Sequence, residues 1–281
     1  MIRVGTRGSA LALAQARWVG ERLGSPYELV TVTTLGDRGA AVGDKSRWVS
    51  ALEQALLAEE IDLAVHSAKD VPAEIADGLE LVAFTARADP RDAICGASSL
   101  AALAPGARVG TSSLRRAAQI RAVRDDVVVV EVRGNVDTRL RKLALGECDA
   151  VVLAVAGLER LGRMDAADGI LDELVPAAGQ GALALEGLPG RVSVDRVADA
   201  EATACVLAER ELTRALGASC NTPVGALARL CNHGGEIELM GWAGRADGSA
   251  WVSDRLSGPG AGLGARVAER MLSCGAAELL T

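Results

Sequence analysis

The sequence predicts an α/β protein of three domains, two α/β units followed by a small α+β unit. Three observations lead there. The chain has 281 residues, enough for two or three ordinary cores. Over its first two thirds, short β-branched runs alternate with amphipathic stretches of helical period, the rhythm of βα units. Beyond residue 200 that rhythm gives way to one helix, several shorter strands in succession and a closing helix.

Ile2–Val4 reads as a strand ending in Gly5-Thr6-Arg7-Gly8-Ser9, and ALALAQARWVGERLG after it as an amphipathic helix closed by Gly24. Strand, glycine-rich turn and helix aim backbone N–H groups at an anion, although many α/β proteins turn this way. Residues 28–34 form the next strand, 35–47 a surface loop rich in glycine and charge, and Trp48–Glu60 a helix. IDLAVHSAKDVP (61–72) is a buried strand breaking into a polar turn, followed by a sheet segment at 79–85. The turn His66-Ser67-Ala68-Lys69-Asp70 lies where open α/β sheets bind ligands. On residues alone it is equally a solvated corner with a surface Lys–Asp pair.

DPRD (89–92) reads as a crossover out of the first domain. Next come Arg108–Val109, the turn Gly110-Thr111-Ser112-Ser113, and a helix from Leu114 to Val123. DVVVVEV (126–132) is expected as a buried strand ending in Arg133-Gly134-Asn135, and DAVVLAVAGLERLG (149–162) as a further strand with Arg160 at its end. ELVPAAGQGALALE (173–186) resumes a strand and crosses back. The helix at 202–216, the tight loop 217–223, strands at 224–230, 236–243 and 250–256, and a helix at 265–274 complete the chain.

Charge is distributed unevenly. Residues 108–142 hold nine Arg or Lys against four acids, a net of +5 in a chain of −7, which leaves −12 for the remainder. Local positive charge in an acidic protein suits a defined anionic ligand and argues against a general nucleic-acid binder. Arginines at three successive strand ends are better explained by one shared cleft than by a charged helix face. The six cysteines are irregularly spaced and neither histidine adjoins a cysteine pair, so disulfide and zinc readings are both poor, and no metal is expected. The N-terminus lacks a signal-peptide pattern and no apolar run is long enough to span a bilayer, so no membrane role and a cytoplasmic setting are expected.

Seven motifs in order, GTRGSALALAQA, HSAKDVP, GTSSLRRAAQIRA, RGNVDTRLRKL, DAVVLAVAGLERLG, PAAGQGALALE and GASCNTPVGA, resemble the porphobilinogen deaminase (hydroxymethylbilane synthase) family over nearly the whole chain. The resemblance implies two periplasmic-binding-protein-like α/β domains flanking a cleft, with expected bounds 1–86 plus 178–199 and 87–177, and a third domain at 200–281. It implies a transferase that condenses four porphobilinogen molecules head to tail into hydroxymethylbilane with loss of ammonia. The primer would be one dipyrromethane cofactor per chain, held by a thioether to Cys220. Asp70 matches the catalytic carboxylate, and its charge would stabilise the cations formed when ammonia leaves and when the carbon–carbon bond forms. His66 reads as structural.

Each pyrrole carries an acetate and a propionate, which gives the arginines their purpose. By the resemblance, Lys69, Thr111, Ser113, Arg115, Arg116, Arg139 and Gln180 bind the cofactor, with Ser67 a weaker candidate. Arg7, Ser9, Arg133, Arg139 and Arg160 bind substrate acids. Lys45 and Trp48 fall where the family has a lysine and an aromatic covering the cleft, although GDKSRW departs from the usual Gly-Lys-Gly-Leu-Phe run and the loop looks shorter. Arg121, Arg124 and Arg141 read as surface charge. The family expectation is a monomer that passes its product to the next tetrapyrrole-pathway enzyme. A solute-sensing module would explain the arginines but gives Cys220 and Asp70 no joint purpose; an inactive paralogue is the harder rival to dismiss, although every matched key position is filled.

Overall fold

The computed structural model describes residues 1–33, 46–218, 222–231 and 235–280. In order, the chain forms β1 (Ile2–Thr6), α1 (Ala10–Gly20), β2 (Tyr27–Thr31), α2 (Ser46–Leu57), β3 (Leu63–Ser67), a one-turn 3-10 helix (Ala68–Asp70), β4 (Glu80–Phe84), β5 (Asp92–Cys95), β6 (Arg108–Gly110), α3 (Leu114–Val123), β7 (Val128–Val130), α4 (Val136–Ala144), β8 (Ala150–Ala154) and α5 (Val155–Arg160). There follow β9 (Gly169–Leu171), β10 (Leu183–Gly187), α6 (Ala200–Ala215), β11 (Val224–Leu230), β12 (Ile237–Gly244), β13 (Trp251–Gly258), α7 (Leu263–Ser273) and α8 (Ala276–Leu279). These divide into two compact units, Met1–Ala88 with Ala182–Val206, and Asp89–Gly181 with Leu207–Thr281.

The first unit holds a five-stranded sheet in the order β2-β1-β3-β10-β4. Its strands β1, β2 and β3 are parallel, and β10 runs antiparallel to both β3 and β4. A sheet covered on both faces needs apolar residues on both, and β3 is buried at four of its five positions. On one face Val4, Leu63, Val65, Leu183 and Leu185 pack with Ala16 and Val19 of α1. Leu52 and Leu56 of α2 pack with Ile61 and Ala64 in a separate cluster.

The second unit repeats this plan. Its larger sheet has the order β7-β6-β8-β5-β9, again with one strand, β5, antiparallel to its neighbours β8 and β9. Ile94, Val109, Val152 and Leu171 form one core cluster with Ile120 of α3, and Cys95, Val151 and Leu153 form another with Val155 and Leu158 of α5. The same unit contains the antiparallel sheet β11-β12-β13. Gly241 of β12 lies so close to Leu212 of α6 and Met271 of α7 that a Cβ there would come within 2.9 and 2.7 Å of their side chains.

Three expectations are corrected. DAVVLAVAGLERLG is a strand only to Ala154; a helix begins at Val155, because a continuous apolar run does not tell a buried strand from a buried helix. DVVVVEV yields only three strand residues at the sheet edge, with Val128 half exposed, where a buried strand was expected. DPRD is not all crossover, since Asp92 opens β5. The expected loop at 35–47 lies largely outside the described residues.

Candidate active site

In the first unit, β1 ends at Thr6 and Arg7-Gly8-Ser9 turns the chain into α1. Ser9 caps that helix, its Oγ accepting the Ala12 N–H at 3.2 Å. Strand β3 ends at Ser67, and the following turn is pinned by the Ala68 N–H donating to Ala182 O at 3.0 Å. Lys69 and Asp70 are half-buried on that turn. His66 points inward, with Nε2 2.9 Å from Oε2 of a fully buried Glu186. Glu53 of α2 accepts the Ala76 N–H at 2.9 Å, and its carboxyl is pushed up by burial and by the charge of Glu186.

In the second unit the same strand ends carry cations. Thr111 follows β6, is buried, and its Oγ1 accepts the Ser113 N–H at 3.1 Å. Ser113 caps α3. Arg115 and Arg116, on the first turn of α3, are only 5 % and 6 % exposed, and both meet Asp92. Arg115 Nη2 donates to Asp92 Oδ2 at 2.8 Å and Arg116 Nη2 to Oδ1 at 2.7 Å. Their Nη1 groups donate to Val175 O at 2.7 Å and Val152 O at 3.0 Å. Gln180 Nε2 reaches Asp92 Oδ1 at 2.8 Å and Pro90 O at 2.7 Å.

Burial by itself would raise the Asp92 carboxyl, but the charges and hydrogen bonds of two guanidiniums outweigh it and hold the group far below the usual carboxylate range. Arg115 shifts the other way: burial lowers it, Asp92 opposes the shift, and the Arg116 charge adds to it.

The other cations are less enclosed. Arg133 is exposed and its Nε donates to Glu131 Oε1 at 2.6 Å. Gly134, at φ +121, makes the turn that leads to the Asn135 cap of α4. Arg139 Nε donates to Gly134 O at 2.7 Å and its Nη2 to Ser112 Oγ at 2.8 Å. Arg160, closing α5, donates to Gly181 O at 2.6 Å; burial lowers it, and no carboxylate pairs with it among the described residues. Arg124 is not plain surface charge, since its guanidinium also holds Leu103 O at 3.0 Å. Arg121 likewise donates to Ala246 O at 2.8 Å.

Cys220 and Lys45 lie outside the described residues, and Trp48 belongs to the first turn of α2. Three buried acids escape sequence reasoning: Asp92, Glu186 and Glu209. Glu209 accepts the Gly179 N–H at 2.7 Å and the Ala228 N–H at 2.6 Å, fixing the loop before Gln180 to β11. In sequence, Asp92 is one charge in a polar DPRD run and Glu209 one of several on a charged helix.

Two like-ordered sheets, with polar and charged side chains at the carboxyl ends of their parallel strands, define an α/β ligand-handling protein. Its particular identity comes from its relatives. Residues 2–196 match the model of the porphobilinogen deaminase dipyromethane cofactor binding domain, and residues 203–273 that of the porphobilinogen deaminase C-terminal domain. The porphobilinogen deaminase of Deinococcus radiodurans is 45% identical over 303 residues, covering 99% of this chain and 97% of the relative. That of Thermus thermophilus is 44% identical, covering 100% and 98%. Among solved structures, the Bordetella pertussis BvgS periplasmic VFT2 domain is 18% identical over 67% of this chain and 81% of that one, with a TM-score of 0.39, too slight a likeness to bear on function. The chain belongs to the porphobilinogen deaminase family. It is a transferase that polymerises porphobilinogen into hydroxymethylbilane with a dipyrromethane cofactor.

Proposed function

We propose that this chain performs the deaminase reaction with Asp70 as its catalytic carboxylate and Cys220 as the cofactor attachment point, the arginines binding the acid groups. The observation that carries this is the common location of Arg7, Ser9, Lys69, Asp70, Thr111, Ser113 and Arg133, each just beyond the carboxyl end of a parallel strand. When bound, the dipyrromethane supplies the pyrrole carbon that takes up the first substrate unit. Asp70 offers a fixed anion as porphobilinogen loses ammonia and becomes cationic. Arg7, Arg133, Arg139 and Arg160 receive acetate and propionate groups, with Ser9 beside the first of them in sequence.

Two features of the chain fit an acidic cofactor. The Nε atoms of Arg115 and Arg116 are buried and meet no acceptor among the described residues. The exposed Arg133–Glu131 pair is of the kind worth only about 0–1 kcal/mol, so a ligand carboxylate displaces it at little cost. Lys69, Thr111, Ser113 and Gln180 complete the cofactor side of this reading; the hydroxyls already accept backbone N–H groups, which leaves their O–H donors to turn toward an acid group. We assign Lys45 and Trp48 to a cover over the ligand by the same resemblance. It also supports a cytoplasmic monomer of three domains that passes its product to the next enzyme. No helix among the described residues is long and apolar enough to cross a membrane.

The test is Asp70→Ala. Steady-state turnover falls by at least about a hundredfold, Asp70→Glu keeps a trace, and both variants melt like wild type. Wild-type turnover in Asp70→Ala removes this residue from the mechanism.

A further inference from the structure

Asp92 carries an inference of its own. It opens β5 opposite Ala154, the last residue of β8, and is therefore level with the carboxyl end of that strand. Its carboxylate is 0% exposed and accepts from Arg115, Arg116 and Gln180 at 2.7–2.8 Å. Gln180 also donates to Pro90 O at 2.7 Å. One carboxylate thus joins the segment through which the chain enters the second unit, the segment through which it leaves, and the first turn of α3.

A buried cluster that served only the fold would balance its charges and satisfy its donors. This one does neither. Two guanidiniums share one carboxylate, leaving one net positive charge, and each arginine keeps a buried Nε–H with no acceptor among the described residues. Both Nη1 and both Nη2 groups are engaged, so the Nε edges are held in place. Leaving a donor and a charge unmatched inside a protein is costly unless a partner completes them.

We propose that Asp92 is a positioning residue that fixes Arg115 and Arg116 by their outer nitrogens, so that the excess charge and the two Nε–H donors receive a single carboxylate of the dipyrromethane. Asp92 acts through the two arginines and does not itself touch the ligand. Removing it frees both guanidiniums to rotate toward each other's acceptors and leaves two like charges adjacent. The inference rests on the reading of Arg115 and Arg116 as cofactor-binding groups.

The test uses the full chain freed of cofactor and incubated with porphobilinogen. Adduct formation is followed by intact mass, and thermal melting is recorded on the same samples. In Asp92→Asn, the folded protein acquires the adduct at least tenfold more slowly than wild type. Arg115→Lys and Arg116→Lys keep a cation for Asp92 but lack the Nε–H, so each melts within a few degrees of wild type and also loads at least tenfold more slowly. A purely structural Asp92 changes the amount of folded protein but not loading per folded molecule. Folded Asp92→Asn loading at the wild-type rate overturns the proposal; if that variant does not fold, wild-type loading by both lysine variants overturns it. A wild-type chain that never acquires the adduct overturns the proposed function itself, a result distinct from either.

Discussion

The two five-stranded sheets share one strand order yet put their buried acid at different depths. In each, a strand formed just after the chain crosses between units inserts antiparallel next to the last of three parallel strands: β10 beside β3, and β5 beside β8. On β10 the buried acid is Glu186, opposite Ala64 near the amino end of β3. On β5 it is Asp92, opposite the last residue of β8. Three residues of strand separate these levels, roughly 10 Å. The deeper acid takes one imidazole and lies below the ligand end of its sheet; the shallower one gathers two arginines at that end. Depth along the inserted strand therefore separates an acid set beside one imidazole from an acid that gathers two arginines at the strand ends.

Several substitutions break or sharpen this contrast. The largest effect on folding is expected from His66→Ala, which leaves a buried Glu186 without the imidazole 2.9 Å from it; stability falls, while turnover per folded molecule stays at the wild-type level. Chemical denaturation paired with active-site titration checks both halves. A specific loss of turnover would move this pair into the chemistry and erase the contrast.

Acid sensitivity comes next. The folded-state value of Asp92 lies below the unfolded value of about 3.9, so its contribution is complete above about pH 4 and is lost as pH falls toward the folded value. Asp62 in the first unit, held at about 2 chiefly by its hydrogen bond from Arg3, has the same sign. Asp92→Asn removes one component of the acid limb and leaves that of the first unit, as melting between about pH 2 and pH 7 would reveal.

Arg133→Leu weakens porphobilinogen binding by about 1.5–3 kcal/mol, read from KM; unchanged affinity and elongation would sink the polycarboxylate assignment. Ser113→Ala removes the cap of α3 and lowers stability by about 1 kcal/mol. The smallest effect belongs to the third sheet, where an exposed Arg270 pairs with Asp254 at 2.6 Å; Arg270→Ala melts close to wild type.

Much of this was legible in the sequence, for physical reasons. The βα rhythm marks strands and helices because buried parallel strands must be apolar throughout and covering helices apolar on one stripe. The helices at Leu114–Val123 and Ala200–Ala215 follow from such patterns and, for the first, from the Ser113 cap. The strand-to-helix break at Val155 was hidden because no polar residue interrupts 150–158. β9 is only three residues long, too short for periodicity to register. At the site, the arginines announce themselves by charge, whereas Asp92 and Glu186 owe their meaning to partners far away in sequence. Nothing local distinguishes a buried shared carboxylate from a surface one.

The most direct measurement is the intact mass of the purified full chain beside its Cys220→Ser variant. The account predicts one dipyrromethane-sized adduct on the wild-type chain and none on the variant, with both chains folded. A folded, active wild-type chain carrying no adduct, or the same adduct on Cys220→Ser, would contradict it.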